Sequence, residues 1–424
     1  VKKVYQNIWF SSENLARAKV KVTNKYFFTN LNEFDILWEL YEDGTILQSG
    51  SLGRLNIPPQ SSRIVTVPLK KPHIQPGAEY WLRLQARLAE KTAWAEKDYE
   101  IASEQFKLPF AAPAPEVKIS QLGPLQVSDK GATLIVSGQN FSVQFDKKSG
   151  ILSSLRFHET ELIEKGPTPN FWRAPTDNDF GNGMPGRCAV WRKVSEHRTL
   201  QNFGIDRVND REVKIKVNYL LPETASEHHI VYTILGSGDV VIENRIVPGE
   251  KKLPELPRFG MRMRLPAGFE QVQWYGRGPH ENYWDRQTSA FVGLYQTTVT
   301  DQFVNYVSPQ ENGYKTDVRW VAFQNNQGVG LLAVGMPTIC FSALHYTIED
   351  LTQKRRGSMH PTDLTKRNFV EVNLDYKQTG VGGDNSWGAR PLAKYTLFPK
   401  KYSYRFYLRP FLADRENPME LSHR

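Results

Sequence analysis

The chain has 424 residues, of which 40% are apolar and 23% charged, with a formal net charge of +9. That balance excludes a disordered chain and predicts two or three globular domains. The 54 basic residues are scattered and the run Lys354-Arg355-Arg356 is short, so the charge reads as a solvated basic surface and nucleic acid is not expected as a partner. No run of 18 apolar residues occurs, so no membrane-spanning helix is expected. Cys188 and Cys340 alone cannot build a disulfide framework or a cysteine-type zinc site. The chain starts at Val1 with neither Met nor a leader pattern, so we expect a piece of a longer polypeptide, its compartment undetermined.

In chain order, strands are predicted at 18–22, 34–41, 45–48, 62–69 and 80–88. Phe34, Ile36, Trp38 and Leu40 alternate with Asp35, Leu37 and Glu39, a two-residue period that buries one face. Asp43-Gly44 supplies a hairpin tip, and Pro76-Gly77 a turn before the strand that holds Trp81, Leu82 and Leu84. Strands at this spacing, with turn residues between, predict a β-sandwich over residues 1–112. The segment 113–116, with Pro113 and Pro115, reads as a semi-rigid linker. From 117 to 424, strands are predicted at 141–145, 151–157, 212–219, 229–235, 240–246, 259–264, 271–275, 315–324, 328–335, 368–375 and 403–409. No amphipathic pattern of a dozen residues interrupts them, so this half is expected to be a very large antiparallel sandwich.

Three loops concentrate chemically capable residues. Asn170 to Gly181 sets Asp177, Asn178 and Asp179 behind Phe171 and Trp172. Such a cluster suits a hard cation, sugar hydroxyls, or a capped turn with Asx hydrogen bonds. Tyr275 to Arg286 contains Gly-x-Gly but lacks the third glycine and the following helix of a phosphate cradle. There His280 and Glu281 form an acid/base pair, or Arg277, Glu281, Asp285 and Arg286 fix the loop by ion pairs and backbone hydrogen bonds. His228 and His229 adjoin in a predicted strand, point to opposite faces, and so do not share a metal. The third loop is Gly380-Val381-Gly382-Gly383-Asp384-Asn385-Ser386-Trp387-Gly388. Its glycines permit left-handed turns or a close backbone approach. It then offers a flat aromatic, Trp387, beside the short polar side chains of Asp384 and Asn385, a combination suited to a sugar ring or to a core anchor at a turn.

Together the segments NFWRAPTDNDFG (170–181), WYGRGPHENYWDR (274–286), YVSPQENG (306–313) and GVGGDNSW (380–387) resemble, in this order, the C-terminal region of β-galactosidases of glycoside hydrolase family 2. The resemblance implies an all-β chain: an immunoglobulin- or fibronectin-like sandwich, 1–112, followed by a small-chain supersandwich, 117–424, similar to galactose mutarotase. It implies that this is the C-terminal part of a retaining enzyme that hydrolyses terminal non-reducing β-D-galactosides. The catalytic glutamates, Mg²⁺ and possibly Na⁺ would then belong to a barrel upstream in the same polypeptide. Here it implies no catalytic residue, no metal and no cofactor, and a chain inactive by itself. Trp387, Asp384 and Asn385 become the expected substrate contacts, and Asn178, Asp179 and Gly181 the expected active-site loop. The segment 182–190 differs from the family's mobile loop, and no mutarotase His and Glu can be mapped. The parent is expected to be a bacterial homo-oligomer, cytoplasmic or periplasmic. Two other readings stay open: a stand-alone carbohydrate-binding module and a purely structural assembly domain.

Overall fold

The computed structural model describes residues 1–250 and 252–423. The contacts divide the chain into two units, one of Val1–Glu116 with Phe291–Leu294, the other chiefly Val117–Ala290 and Tyr295–Ser422.

In the first unit, β1 (Ile8–Asn14), β2 (Lys19–Asn24) and β5 (Ser62–Thr66) form one antiparallel sheet. A second sheet runs in the order β4 (Thr45–Gly53), β3 (Phe34–Glu42), β6 (Tyr80–Leu88), β7 (Glu100–Lys107). Phe10, Val20 and Val22 from the first sheet and Ile36, Trp38, Leu82 and Leu84 from the second share one core, which makes this unit a sandwich. Strand β3 buries Phe34, Ile36, Trp38 and Leu40, the alternation expected from its sequence. The hairpin tip has Asp43 at φ 49° and Gly44 at φ 84°, the left-handed pair that tight β-hairpin turns favour.

The second unit is also antiparallel. A five-stranded sheet runs β12 (Thr160–Glu161), β11 (Ile151–Phe157), β10 (Phe141–Asp146), β9 (Thr133–Ser137), β8 (Gln126–Lys130). A twelve-stranded sheet has the main order β13 (Lys165–Asn170), β18 (Arg258–Pro266), β23 (Phe369–Gln378), β22 (Val329–Leu344), β24 (Tyr402–Leu412), β17 (Val240–Val247), β16 (Ser226–Leu235), β15 (Glu212–Leu221), β14 (Thr199–Asn209). Strand β21 (Lys315–Gln324) branches from β22 and continues through β19 (Gln271–Gly278) to β20 (Phe291–Thr298). Val143, Phe145 and Leu152 of the smaller sheet meet Ile215, Tyr232 and Phe259 of the larger in a single core. The chain is therefore all-β, a sandwich followed by a large antiparallel sheet pair. Its helices are short turns: α1 (Asp177–Gly181), α2 (Met184–Arg187), α3 (Val190–Lys193), α4 (Ile348–Leu351) and α5 (Pro418–Ser422).

Eight of the described strands, β1, β7, β8, β9, β12, β13, β14 and β20, lie outside the ranges expected from sequence, and four of these have a plain physical reason. Strand β13 carries Pro167 and Pro169, which argue against a strand, yet it lies at one end of the sheet and pairs only with β18, where missing N–H groups are tolerated. Strand β14 is the other edge and mostly exposed, so no apolar period marks it. Strands β1 and β7 are the polar outer members of their sheets. The segment 182–190, expected as an irregular loop, forms α2 and enters α3, anchored by buried Met184, Cys188 and Trp191.

The adjacent histidines on β16 separate as strand geometry requires. His228 is buried against Asn244, while His229 contacts Asn218 and Glu227. Burial pushes the His228 imidazole down to about 3, against the opposing Asn244 hydrogen bond. The unfolded chain, with an ordinary histidine near 6.5, therefore binds a proton that the folded chain refuses. The His228 contribution is present above about pH 6.5 and is lost as pH falls toward 3. In urea unfolding at a series of pH values, His228→Asn is expected to lose less stability than the unsubstituted chain across that window. Identical slopes would contradict the assignment.

Candidate functional site

The site begins at a buried cation. Arg173 is 1% exposed, on the segment that leaves β13. Its Nη2 lies 2.8 Å from Asp179 Oδ1 and its Nε 3.2 Å from Asp179 Oδ2, a two-pronged ion pair. Asp179 Oδ2 also accepts from Thr176 N at 3.0 Å, while Thr176 Oγ1 accepts from Asp179 N at 3.2 Å. This reciprocal cap fixes the start of α1. The rest of the guanidinium reaches across to the end of β23, where Arg173 donates to the carbonyls of Thr379 and of Gly380, the latter at 3.0 Å. One buried group thus ties the 170–181 segment to the root of the 380–388 loop.

Asp285 braces the loop from a second side. Its Oδ2 accepts from Val381 N at 2.8 Å and from Gly382 N at 3.0 Å. Gly380 N donates to Tyr395 O at 2.7 Å. A Cβ on Gly380 would lie 2.6 Å from Asp285 Oδ2, and one on Gly383 would lie 2.7 Å from the carbonyls of Ala389 and Arg390. These glycines allow close approach and do not take left-handed turns; among the described residues of the loop only Gly388 has positive φ, at 133°. Asn178 Nδ2 donates to Val381 O at 3.1 Å, and a Cβ on Gly181 would lie 3.2 Å from Ser386 O. At the tip, Asn385 Oδ1 accepts from Trp387 N at 2.9 Å and Ala389 N at 3.4 Å. Trp387 is 90% exposed on this braced loop, and Asp384 is exposed beside it. Phe27, Phe28 and Trp94 are exposed elsewhere on the chain; what distinguishes Trp387 is its place on a loop tied down by side-chain hydrogen bonds.

Next to the loop lies a cavity of about 290 Å³ whose wall includes Asn178, Glu281, Tyr283, Asp285, Arg286 and Glu311. Glu281 accepts from Tyr306 and from Arg286 Nη2 at 2.5 Å, and through Oε2 from Gly313 N at 2.9 Å. Glu311 accepts from Arg258 Nη2 and Gln378 Nε2, both at 2.8 Å. Arg258 also lies 3.1 Å from Asp375 Oδ2, whose carboxyl burial pushes up to about 7 against the pull of that guanidinium. His280 does not pair with Glu281; its Nε2 sits 3.1 Å from Ser289 Oγ, and burial lowers its pKa. The loop is held by ion pairs and backbone hydrogen bonds, the second of its two sequence readings, with Arg277 pairing to Asp317 at 2.6 Å.

A family model described as "Beta galactosidase small chain" matches residues 137–408, and one described as "Beta-galactosidase, domain 4" matches residues 20–109. The chain belongs to the β-galactosidase small-chain family. It is 39% identical over 413 residues to a β-galactosidase of Priestia megaterium, covering 97% of this chain and 39% of that protein. A β-galactosidase of Halalkalibacterium halodurans is 32% identical over 401 residues, covering 94% of this chain and 38% of that protein. The chain therefore spans about two fifths of the length of these curated relatives. Among solved structures, a galactose 1-epimerase from Lactobacillus acidophilus aligns over 68% of this chain and 98% of its own, at 7% identity and a TM-score of 0.40.

The structure brings most of the anticipated residues of this small-chain unit together: Asn178 and Gly181 support the loop that carries Asp384, Asn385 and Trp387. Two take narrower roles than the sequence suggested. Asp179 is 2% exposed and its carboxylate is consumed by Arg173 and Thr176, so it builds the site without facing a ligand. Asn385 spends its side-chain oxygen on the turn. Arg173 and Asp285 acquire roles that sequence left open, because their partners lie about 200 and 100 residues away along the chain. Removing Asp179 strands a buried guanidinium, so Asp179→Ala is expected to cost about 3–5 kcal/mol in denaturant unfolding. A loss under 1 kcal/mol would show that Arg173 is solvated instead.

Proposed function

We propose that this chain is the C-terminal part of a retaining β-galactosidase acting on terminal non-reducing β-D-galactosides, and that it completes the rim of the active site. In this reading the two glutamates that cleave the bond, with the family's Mg²⁺ and Na⁺, lie on a barrel outside this chain. The observation that carries the reading is Trp387, nine-tenths exposed on a loop braced by Arg173, Asp285 and Asn178. A rigid aromatic face complements the C–H face of a pyranose, and the neighbouring Asp384 can accept from its hydroxyls. The carboxylates Glu281 and Glu311 are engaged by Arg286 and Arg258, which suits positioning better than proton transfer. Asn178 and Gly181 act by supporting the loop.

The contact acts on the leaving-group side of the sugar. In the longer polypeptide, Trp387→Ala is expected to weaken acceptor binding and transglycosylation by about fivefold, equivalent to about 1 kcal/mol, with a smaller effect on hydrolysis of a nitrophenyl galactoside. Unchanged acceptor affinity would refute the assignment. The same assay on this chain alone is expected to show no turnover.

A further inference from the structure

We propose that the cleft between β13, α3 and α4 binds a phosphate dianion, free or carried by a small metabolite, through Lys165, Arg192, Lys193 and Arg198. The cleft encloses about 420 Å³, within the range of small-ligand pockets. It lies inside the second unit and shares no wall residue with the space beside the Trp387 loop.

The charge of its wall selects the ligand. Lys165 comes from β13, Arg192 and Lys193 from α3, Arg198 from just beyond, and Arg262 from β18, against the carboxylates of Glu196 and Glu349. Arg262 is already spent. Its Nη1 and Nη2 lie 2.8 and 3.2 Å from the two oxygens of Glu349, and its Nε lies 2.8 Å from Glu371. That pairing also uses up Glu349. None of the other four cations has a carboxylate within ion-pair distance among the described residues. Arg198 donates to the carbonyl of Ser195 and lies 5.2 Å over the Tyr219 ring, and neither partner carries a countercharge. Glu196 is therefore the wall carboxylate left to oppose four cations.

The crowding is felt at Lys165. Burial first, then the positive charges of Arg262 and Arg264, hold its pKa below the ordinary lysine value, with Arg198 adding to them and Glu371 opposing. Cationic head groups from β13, β18 and the segment after α3 thus lie close enough to repel one another. Other guanidiniums of this unit, Arg173, Arg187, Arg258 and Arg367, each face a carboxylate. Lys165, Arg192 and Lys193 line the cleft and are exposed, so an ion reaches them without opening the fold.

A metal cation is repelled by such a wall, and a neutral sugar leaves its charge unanswered. A single carboxylate offsets one charge of the surplus. A phosphate dianion offsets two and presents several acceptor oxygens to the forked donors of Arg192 and Arg198 and the ammonium groups of Lys165 and Lys193.

The test is isothermal titration of the 424-residue chain, at neutral pH and matched ionic strength, with inorganic phosphate and with glucose 6-phosphate. Glucose is the uncharged control. Saturable binding of phosphate, of its ester or of both is expected, and none of glucose; the tighter of the two ligands tells a free ion from a phosphorylated metabolite. Lys165→Met and Arg192→Ala should each weaken binding by about threefold to tenfold, and added NaCl should weaken it further by screening. Neither side chain has a hydrogen-bonded partner among the described residues, so both variants are expected to fold. If circular dichroism shows that one does not, the other decides. Lys97→Ala, which removes an exposed lysine of the first unit, should leave the affinity unchanged. No saturable heat with either phosphate, affinity unchanged in the folded cleft variants, glucose binding as tightly as its phosphate, or an equal loss in Lys97→Ala would each overturn the proposal.

Discussion

The geometry of the site depends on where one guanidinium is buried. Arg173 cannot shed its charge, so its position inside the larger unit requires a carboxylate and several carbonyls around it. Asp179 and the carbonyls of Thr379 and Gly380 supply that shell. Because these groups come from opposite ends of the unit's sequence, satisfying the charge forces the 170–181 segment and the root of the 380–388 loop into one arrangement. A buried ion pair of this kind adds little net stability. What it provides here is register between two loops.

That register explains how a large apolar side chain is held in water without collapsing onto the surface. The loop is short of side chains at Gly380 and Gly383, where neighbouring oxygens approach too closely for a Cβ. The N–H groups of Val381 and Gly382 are taken by Asp285, and that of Trp387 by Asn385. With the root of the loop and the Trp387 N–H tied down, Trp387 stays exposed at little conformational cost. Beside the loop lies the space lined by Asn178, Asp285 and Gly382, where Asp285 holds the backbone through Oδ2.

Much of this was legible in the sequence, and the pattern of what was not is physical. Strands with one deeply buried face, such as Phe34–Glu42, announce themselves by alternation. Edge strands do not: Lys165–Asn170 hides behind two prolines and Thr199–Asn209 behind exposure on both faces. For the site, the segments themselves stood out by their density of glycine, aromatic and short polar residues, but not the pairing between them. Asp179 and Asn178 are adjacent and look equivalent in sequence. A capping box and a buried arginine turn one into scaffold and leave the other supporting the loop. Only three-dimensional partnership separates them.

The central claim, that the Trp387 loop is rigid before any ligand arrives, is tested most directly by amide hydrogen exchange on the free chain. Val381 and Gly382 donate to Asp285 and Gly380 donates to Tyr395, so these amides are expected to exchange far more slowly than an unstructured peptide, although they lie outside any strand. Exchange of all three at the rate of free peptide would show a loose loop, and the account of an aromatic held in place by a buried arginine would fail.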